Sequence, residues 1–297
     1  MWVVTALALA GCAALPVLAG AAEPTPWQLG MQPPATPVQD RIVAFHDWLL
    51  VITFLITVFV LGLLLYVMVR FHHTRHPVPT RTSHNAVIEI LWTVVPVLIL
   101  VGIAIPSFKL MYYMDRVPNA DMTIKVTAHQ WYWSYEYPDQ AGLTFDSNLI
   151  PENDLKPGQK RLLDVDNPLV VPIDTSVRVL VTGTDVIHSW FVPSFGVQEY
   201  AIVGRLNESW FRVEHEGTYY GECNQICGVN HAFMPIKVVA LAKPEYEKWL
   251  GEAKKKFAAA APPARAPTEG EGAGATEVAA AANPVDATPV GANPAGN

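Results

Sequence analysis

The sequence predicts a mixed architecture: an N-terminal two-helix transmembrane hairpin followed by an all-β domain. Three observations predict it. Two apolar runs, WLLVITFLITVFVLGLLLYVMV from Trp48 to Val69 and VIEILWTVVPVLILVGIAIPSF from Val87 to Phe108, have no polar face. At ~1.5 Å rise per residue each spans ~33 Å, enough for a ~30 Å hydrocarbon core. From about residue 120 the pattern changes to short β-rich stretches such as MTIKVTA, WYWSYEY, SVRVLVTG and MPIKVVAL, separated by turn residues such as Pro157-Gly158 and Asn167-Pro168. Several such strands suggest an antiparallel sandwich or barrel. Finally, 51% of residues are hydrophobic and 16% charged, with a mean hydropathy of +0.22. Soluble domains carry ~25% charged residues, so part of the chain belongs in lipid.

Residues 1–22 read as a signal peptide. The apolar run Val3 to Leu18 precedes the small residues Ala19-Gly20-Ala21-Ala22. The segment before the run carries no Lys or Arg, which departs from the usual pattern. Leu9-Ala10-Gly11-Cys12 also fits a lipoprotein cleavage box with Cys12 as the lipidated residue, and both readings stand open. Residues 23–40, rich in Pro, read as a periplasmic linker. The hairpin then occupies 41–112, with helices over about 45–70 and 87–110. The loop RFHHTRHPVPTRTSHN between them holds Arg70, Arg75 and Arg81 and no acid, so it is predicted to face the cytoplasm. Both termini then face the periplasm of a bacterium, and the protein is a two-helix, multi-pass protein of the inner membrane. The β domain is predicted over 113–250. Residues 251–297 close the chain as the end of a short helix and an Ala/Pro/Gly tail too poor in large apolar side chains to fold. The net charge of −7 weighs against nucleic acid as the partner and leaves room for a basic one.

The chemistry concentrates in GECNQICGVNHAFMP, Gly221 to Pro235, which places Cys223, Cys227, His231 and Met234 within twelve residues, with His188 upstream in DVIHSW. Two thiolates, two imidazoles and a thioether are a soft donor set. The lack of a carboxylate argues against calcium, magnesium or manganese, and the Met argues against structural zinc. Copper fits. A single-copper site needs one Cys, and here there are two; two thiolates on one loop can bridge two coppers, each with its own His and weak axial ligand. The plain alternative is a Cys223–Cys227 disulfide with unrelated His and Met nearby. An acid near lipid, such as Glu89 at the start of the second apolar run, is a functional candidate on its own.

His188 followed by C-x3-C-x3-H-x2-M, the aromatic stretch HQWYWSYEY from His129 to Tyr137, and the hairpin with Glu89-Ile90-Leu91-Trp92-Thr93 together resemble subunit II of aa3-type bacterial cytochrome c oxidases. The resemblance covers about residues 40–250. It implies a cupredoxin-like Greek-key barrel holding a dinuclear CuA centre, with cytochrome c as electron donor. Subunit I, which carries haem and CuB, would be the acceptor, and subunit III a further partner. Electrons would pass to haem for reduction of oxygen to water coupled to proton pumping, so the chain is one subunit of an oxidoreductase and not a catalyst alone. Carried over residue by residue, Cys223 and Cys227 bridge the coppers, His188 and His231 are terminal ligands, Met234 is one axial ligand and the backbone carbonyl of Gln225 the other. The family has Glu where Gln225 stands, and that Glu helps hold a magnesium ion at the subunit I boundary; an amide brings no charge, so magnesium here is expected to be held less tightly or by other groups. Trp131 matches the electron-entry residue and Glu89 the mouth of a proton path. Glu136, Asp139, Asp146, Asp166 and Asp185 are candidates for an acidic docking face. Tyr200 stands where the family commonly has Asp, which removes one acidic contact near the subunit boundary.

Other readings make different predictions. A quinol oxidase subunit II keeps the fold without the copper ligands. A copper chaperone uses C-x3-C and a His on a thioredoxin-like fold with one anchor. A disulfide-bonded scaffold binds no metal.

Overall fold

The computed structural model describes residues 21–258, apart from 79 and 118. Residues 1–20 of the expected signal peptide, with Cys12, and the tail from 259 onward therefore lie outside the described residues, while its last two residues, Ala21 and Ala22, are described. The described residues begin with a short strand β1 (Ala21–Ala22) and the helices α1 (Pro37–Arg70) and α2 (Ala86–Asp115).

Both helices start at local signals. The Thr36 side chain accepts the Gln39 N–H at 3.1 Å, and Pro37 sits where its missing N–H has no partner to lose. Helix α1 therefore starts at Pro37, ahead of the position near 45 expected from hydropathy. Its 34 residues reach ~50 Å, so its first turns project beyond a bilayer core. In α2, Asn85 Oδ1 accepts from the N–H groups of Val87 and Ile88 at 3.1 and 3.2 Å, while Glu89 Oε1 accepts the Asn85 N–H at 3.1 Å. This is a reciprocal capping box. Each helix holds a window whose residues are 0% buried, at mean hydropathies of 2.8 and 2.5. Leu, Val and Phe side chains all around both helices face outward, which water would penalise and lipid would not.

The β domain is built from β2 (Met122–His129), β3 (Tyr132–Tyr137), β4 (Leu143–Ser147), β5 (Leu169–Pro172), β6 (Val177–Gly183), β7 (His188–Val192), β8 (Val197–Ala201), β9 (Asn207–Phe211), β10 (Gly217–Cys223) and β11 (Pro235–Leu241), followed by α3 (Lys243–Ala258). One sheet has the order β4-β3-β2-β6-β9; the other has β5-β11-β10-β7-β8, with β1 added on β10. The sheets face each other through alternating side chains. Ile124, Val126, Trp133, Tyr135, Val179 and Val181 from one sheet, and Trp190, Val192, Ile236 and Val238 from the other, are all fully buried. Tyr137 joins the sheets at both ends of its hydroxyl: it donates to Val170 O at 2.9 Å and accepts from Val170 N at 3.0 Å. Not every pairing is antiparallel. β2 pairs with β6, and β11 with β5, in parallel register. Long connections carry β6 back past the β3–β4 hairpin, the Greek-key way of closing such a barrel.

The expected linker, 23–40, touches this domain at its near end and again at Ala35–Thr36, while Trp27 and Leu29 between them are exposed. β1 lies parallel to Thr218–Tyr219 of β10. The carboxylate of Glu23 pairs with Lys160. Ala35 N donates to Ser194 O at 2.9 Å and Ala35 O accepts from Glu214 N at 3.0 Å. A second joint ties the hairpin on. Thr36 Oγ1 donates to Phe195 O at 2.7 Å, and Trp210 Nε1 donates to Met114 O at 3.1 Å. Arg41 lies 3.5 Å above the ring of Tyr113, which meets Trp210 edge-on. Gly196 at φ +67° is needed here, because a Cβ would come within 2.8 Å of Ile42 Cδ1.

Candidate metal centre

The last residue of β10 is Cys223 and the first of β7 is His188; the two strands are paired here, Cys223 opposite Trp190. The connection from β10 to β11 carries Cys227, a short 3-10 turn at His231–Phe233, and Met234. Asn224 N donates to Ser189 O at 3.3 Å, which turns the chain back over the end of β7. The five side chains named from the sequence therefore converge. The Sγ atoms of Cys223 and Cys227 lie 3.9 Å apart, far beyond the ~2.05 Å of a disulfide, and both thiols are free and buried. Cys223 Sγ is 3.9 Å from His188 Nδ1 and 3.3 Å from Gln225 O. Cys227 Sγ is 3.5 Å from His231 Nδ1 and 3.6 Å from Met234 Sδ.

These separations suit metal coordination. Two donor atoms each ~2.0–2.3 Å from one tetrahedral metal lie ~3.5 Å apart. The ligand atoms of His188, Cys223 and Cys227 all fall within 4.8 Å of one another. The donors are sulfur and imidazole nitrogen with one carbonyl, a set that selects copper over magnesium or calcium.

The electrostatics also call for a cation. Burial pushes both thiols up. For Cys223 this is outweighed by His188, by the backbone at Ser189 and Gln225, and by His231, so its pKa falls below the usual thiol value. For Cys227 burial is reinforced by the charge of Cys223, and its pKa rises. Cys223 as an anion keeps Cys227 protonated, and a bound cation would let both thiols ionise.

Three groups that sequence reasoning did not assign to the centre hold it in place. Asp185, named as a docking acid, accepts from His188 Nε2 at 2.9 Å. A carboxylate can only accept, so the imidazole proton sits on Nε2 and Nδ1 is left to face the cysteines. Burial resists ionisation of Asp185, but His188 and the N–H groups of Val186 and Gln130 hold its carboxyl below the usual range. Gln130 Nε2 donates to Cys227 O at 2.8 Å, and Trp133 Nε1 donates to Met234 O at 3.1 Å. The spacing D-x2-H in the sequence was the available signal for Asp185; nothing local signalled the other two.

Trp131, in the turn between β2 and β3, lies against this loop, its Nε1 3.3 Å from Cys227 O. Gly228 at φ +124° permits the approach, since a Cβ there would come within 2.9 Å of the Trp131 ring. The predicted docking acids are scattered by contrast. Asp146 accepts from Ser134 Oγ at 2.5 Å, and Ser134 Oγ is 3.1 Å from His129 Nε2, so Asp146 and Asp185 flank the Trp131 turn. Glu136 pairs with Lys125 at 3.0 Å. Asp139 binds Thr123 N at the far end of β2. Asp166 is used by the backbone of Asn148 and Asn167. Tyr200 lies on β8, 42% exposed. Glu89 is remote, in the first turn of α2.

Comparison with known proteins agrees with this architecture. Residues 24–110 match the family described as cytochrome c oxidase subunit II, transmembrane domain, and residues 122–241 match cytochrome c oxidase subunit II, periplasmic domain. The chain is 50% identical over 235 residues to the probable cytochrome c oxidase subunit 2 of Rickettsia bellii, covering 79% of this chain and 87% of that protein. It is 50% identical over 239 residues to cytochrome c oxidase subunit 2 of Oenothera berteroana, covering 78% and 92%. Among solved structures, the periplasmic domain of subunit II of cytochrome oxidase of Bradyrhizobium japonicum shares 51% identity over 48% of this chain and 99% of that one, with a TM-score of 0.45. With two apolar helices, a two-sheet β domain and a His/Cys/Cys cluster compatible with a copper site, this chain belongs to the cytochrome c oxidase subunit II family and is a subunit of a membrane-bound oxidoreductase.

Proposed function

We propose that the centre is a dinuclear copper site that takes electrons from cytochrome c at Trp131 and passes them to haem in subunit I. The observation that carries the dinuclear reading is the division of the donors. Each thiol has its own imidazole, His188 beside Cys223 and His231 beside Cys227, and each has one weak donor, Gln225 O or Met234 Sδ. When bound, such a metal pair supplies one-electron chemistry with little change of shape. The chain supplies the rest. It buries the thiols, holds Nδ1 of His188 toward them through Asp185, and fixes the loop carbonyls with Gln130, Trp131 and Trp133. No donor position is left for substrate, so the centre transfers electrons and oxygen reduction belongs to the complex.

Trp131 is the entry point in this reading because it is the partly buried aromatic that joins the surface to the Cys227 carbonyl. Asp146 and Asp185 beside it would steer a basic cytochrome c, while Glu136, its charge neutralised by Lys125, and Asp139, at the far end of β2, would contribute less, with Asp166 beyond the Trp131 turn. Glu89 would mark a proton entrance at the cytoplasmic end of α2, with both termini in the periplasm of a bacterial inner membrane, subunit III as a further partner and the signal peptide removed. Gln225 would give magnesium at the subunit I boundary at most a neutral oxygen ligand.

The test is the copper content and EPR spectrum of the full chain after copper loading. Two coppers per chain sharing one unpaired electron are expected; one copper with a single-copper blue spectrum would overturn the dinuclear reading. In the assembled oxidase, Trp131→Phe should slow electron entry by at least about tenfold, a barrier increase of ~1.4 kcal/mol. It should change the salt dependence of cytochrome c binding little. Equal losses in both would remove Trp131 from the entry point.

A further inference from the structure

A cavity of about 480 Å³ opens between α1 and α2 at the end of the hairpin next to the β domain. Its walls combine two kinds of chemistry. Phe45, Trp48 and Pro106 line it with apolar surface, and Arg41 and Lys109 add two cations to the same lining. Lys109 follows directly on the apolar run of α2, and Arg41 lies two helical turns before Trp48, where the run of α1 begins. Both cations therefore sit at the level where membrane helices leave the hydrocarbon and meet phosphate headgroups.

Neither cation has an acidic partner among the described residues. Lys109 makes no ion pair or hydrogen bond there. Arg41 spends only its face, on the Tyr113 ring at 3.5 Å, which leaves its N–H edge free to donate. The nearby acids Asp40 and Asp47 do not line the cavity. An apolar slot under two unpaired cations has the shape and polarity of one amphiphile that the surroundings supply, an anionic head on an acyl chain.

We propose that this cavity is a binding site for one anionic phospholipid, its phosphate held by Arg41 and Lys109 and its upper acyl chain lying against Phe45, Trp48 and Pro106. The site rests only on the hairpin lying in a bilayer, not on the copper reading. It places the lipid beside the Arg41–Tyr113–Trp210 joint that ties the hairpin to the β domain.

The experiment is native mass spectrometry of the full chain in detergent, offered phosphatidylglycerol or phosphatidylcholine, with an inorganic phosphate arm. Retention of phosphatidylglycerol should exceed that of phosphatidylcholine by roughly tenfold, as two interfacial cations allow. Arg41→Gln with Lys109→Gln should bring the two lipids to parity, and Arg41→Lys with Lys109→Arg should keep the preference. An unaltered far-UV circular dichroism spectrum and thermal transition in detergent for both variants establishes that each is folded. Excess inorganic phosphate should not displace the lipid; displacement would show that the cations read an anion alone and would overturn the lipid assignment. Equal retention by the unaltered chain, or a preference that survives the double Gln variant, would overturn it too. In the assembled oxidase the same phosphatidylglycerol should remain bound; its absence, with a neighbouring subunit filling the cavity, would show that the cations await protein and not lipid.

Discussion

The copper end of the β domain and its α3-covered flank are held by different forces. At the copper end the β10–β11 loop has little apolar cover, with Ile226 82% and Val229 86% exposed. It is fixed by side-chain donors on backbone carbonyls: Gln130 and Trp131 on Cys227, Trp133 on Met234. On the flank, α3 buries Tyr246, Leu250 and Ala253 against the sheets, Trp249 packs on Tyr137, and Phe257 stacks on Phe145 at 4.6 Å. Polar clamps hold a ligand loop to a definite shape without covering it, which leaves its surface free for partners. Apolar packing supplies stability but no such precision.

Changes at the two places should therefore fail differently. The largest effect belongs to the cysteines. Cys223→Ser or Cys227→Ser should abolish the copper spectrum outright, because a hydroxyl is a poor soft-metal bridge. The copper-free chain should retain nearly normal thermal stability, read by circular dichroism. Next is Leu250→Ala, where the lost contacts should cost about 2–3 kcal/mol of stability and leave the copper spectrum of the folded protein unchanged. A spectral change there would mean that the flank and the centre are mechanically coupled. Smaller again is Asp185→Ala. Loss of the acceptor on His188 Nε2 should weaken copper retention about tenfold, as removal of such supporting groups typically does, with stability barely moved. Competition with a chelator measures it.

The same contrast explains what could be read without coordinates. The hairpin was legible because lipid selects on composition, and every side chain between Trp48 and Val69 reports it. The ligands were legible because four of them fall within twelve residues of one loop, where spacing is geometry. The support was not. Gln130 and Trp133 act on carbonyls nearly a hundred residues away, and no local pattern encodes such a contact. Asp185 looked like a surface charge because its partner depends on how the β6–β7 turn folds. The contacts at 21–23 and 35–36 had no local signal, although Thr36-Pro37 carries the helix start in plain view. The parallel pairs of β2 with β6 and β11 with β5 depend on long connections, and alternation alone is the same for either direction of pairing.

Gln225 divides the two kinds of contact within a single residue, and altering it should have the smallest effect on copper. Its backbone carbonyl lies 3.3 Å from Cys223 Sγ, while its side chain is partly exposed at the rim. Gln225→Glu leaves the carbonyl where it is, so the copper EPR spectrum should be almost unchanged. The new carboxylate adds a full charge at the surface that subunit I would cover. A hard divalent cation binds an anionic oxygen far better than an amide, so manganese, used as a spectroscopic stand-in for magnesium, should bind the assembled oxidase more tightly in the variant. Copper content and manganese EPR can be measured on the same preparation. If Gln225→Glu abolished copper and left manganese unchanged, the side chain and not the carbonyl would be the part facing the sulfurs. The exposed rim of the loop would then belong to the copper centre and not to the boundary with its neighbour.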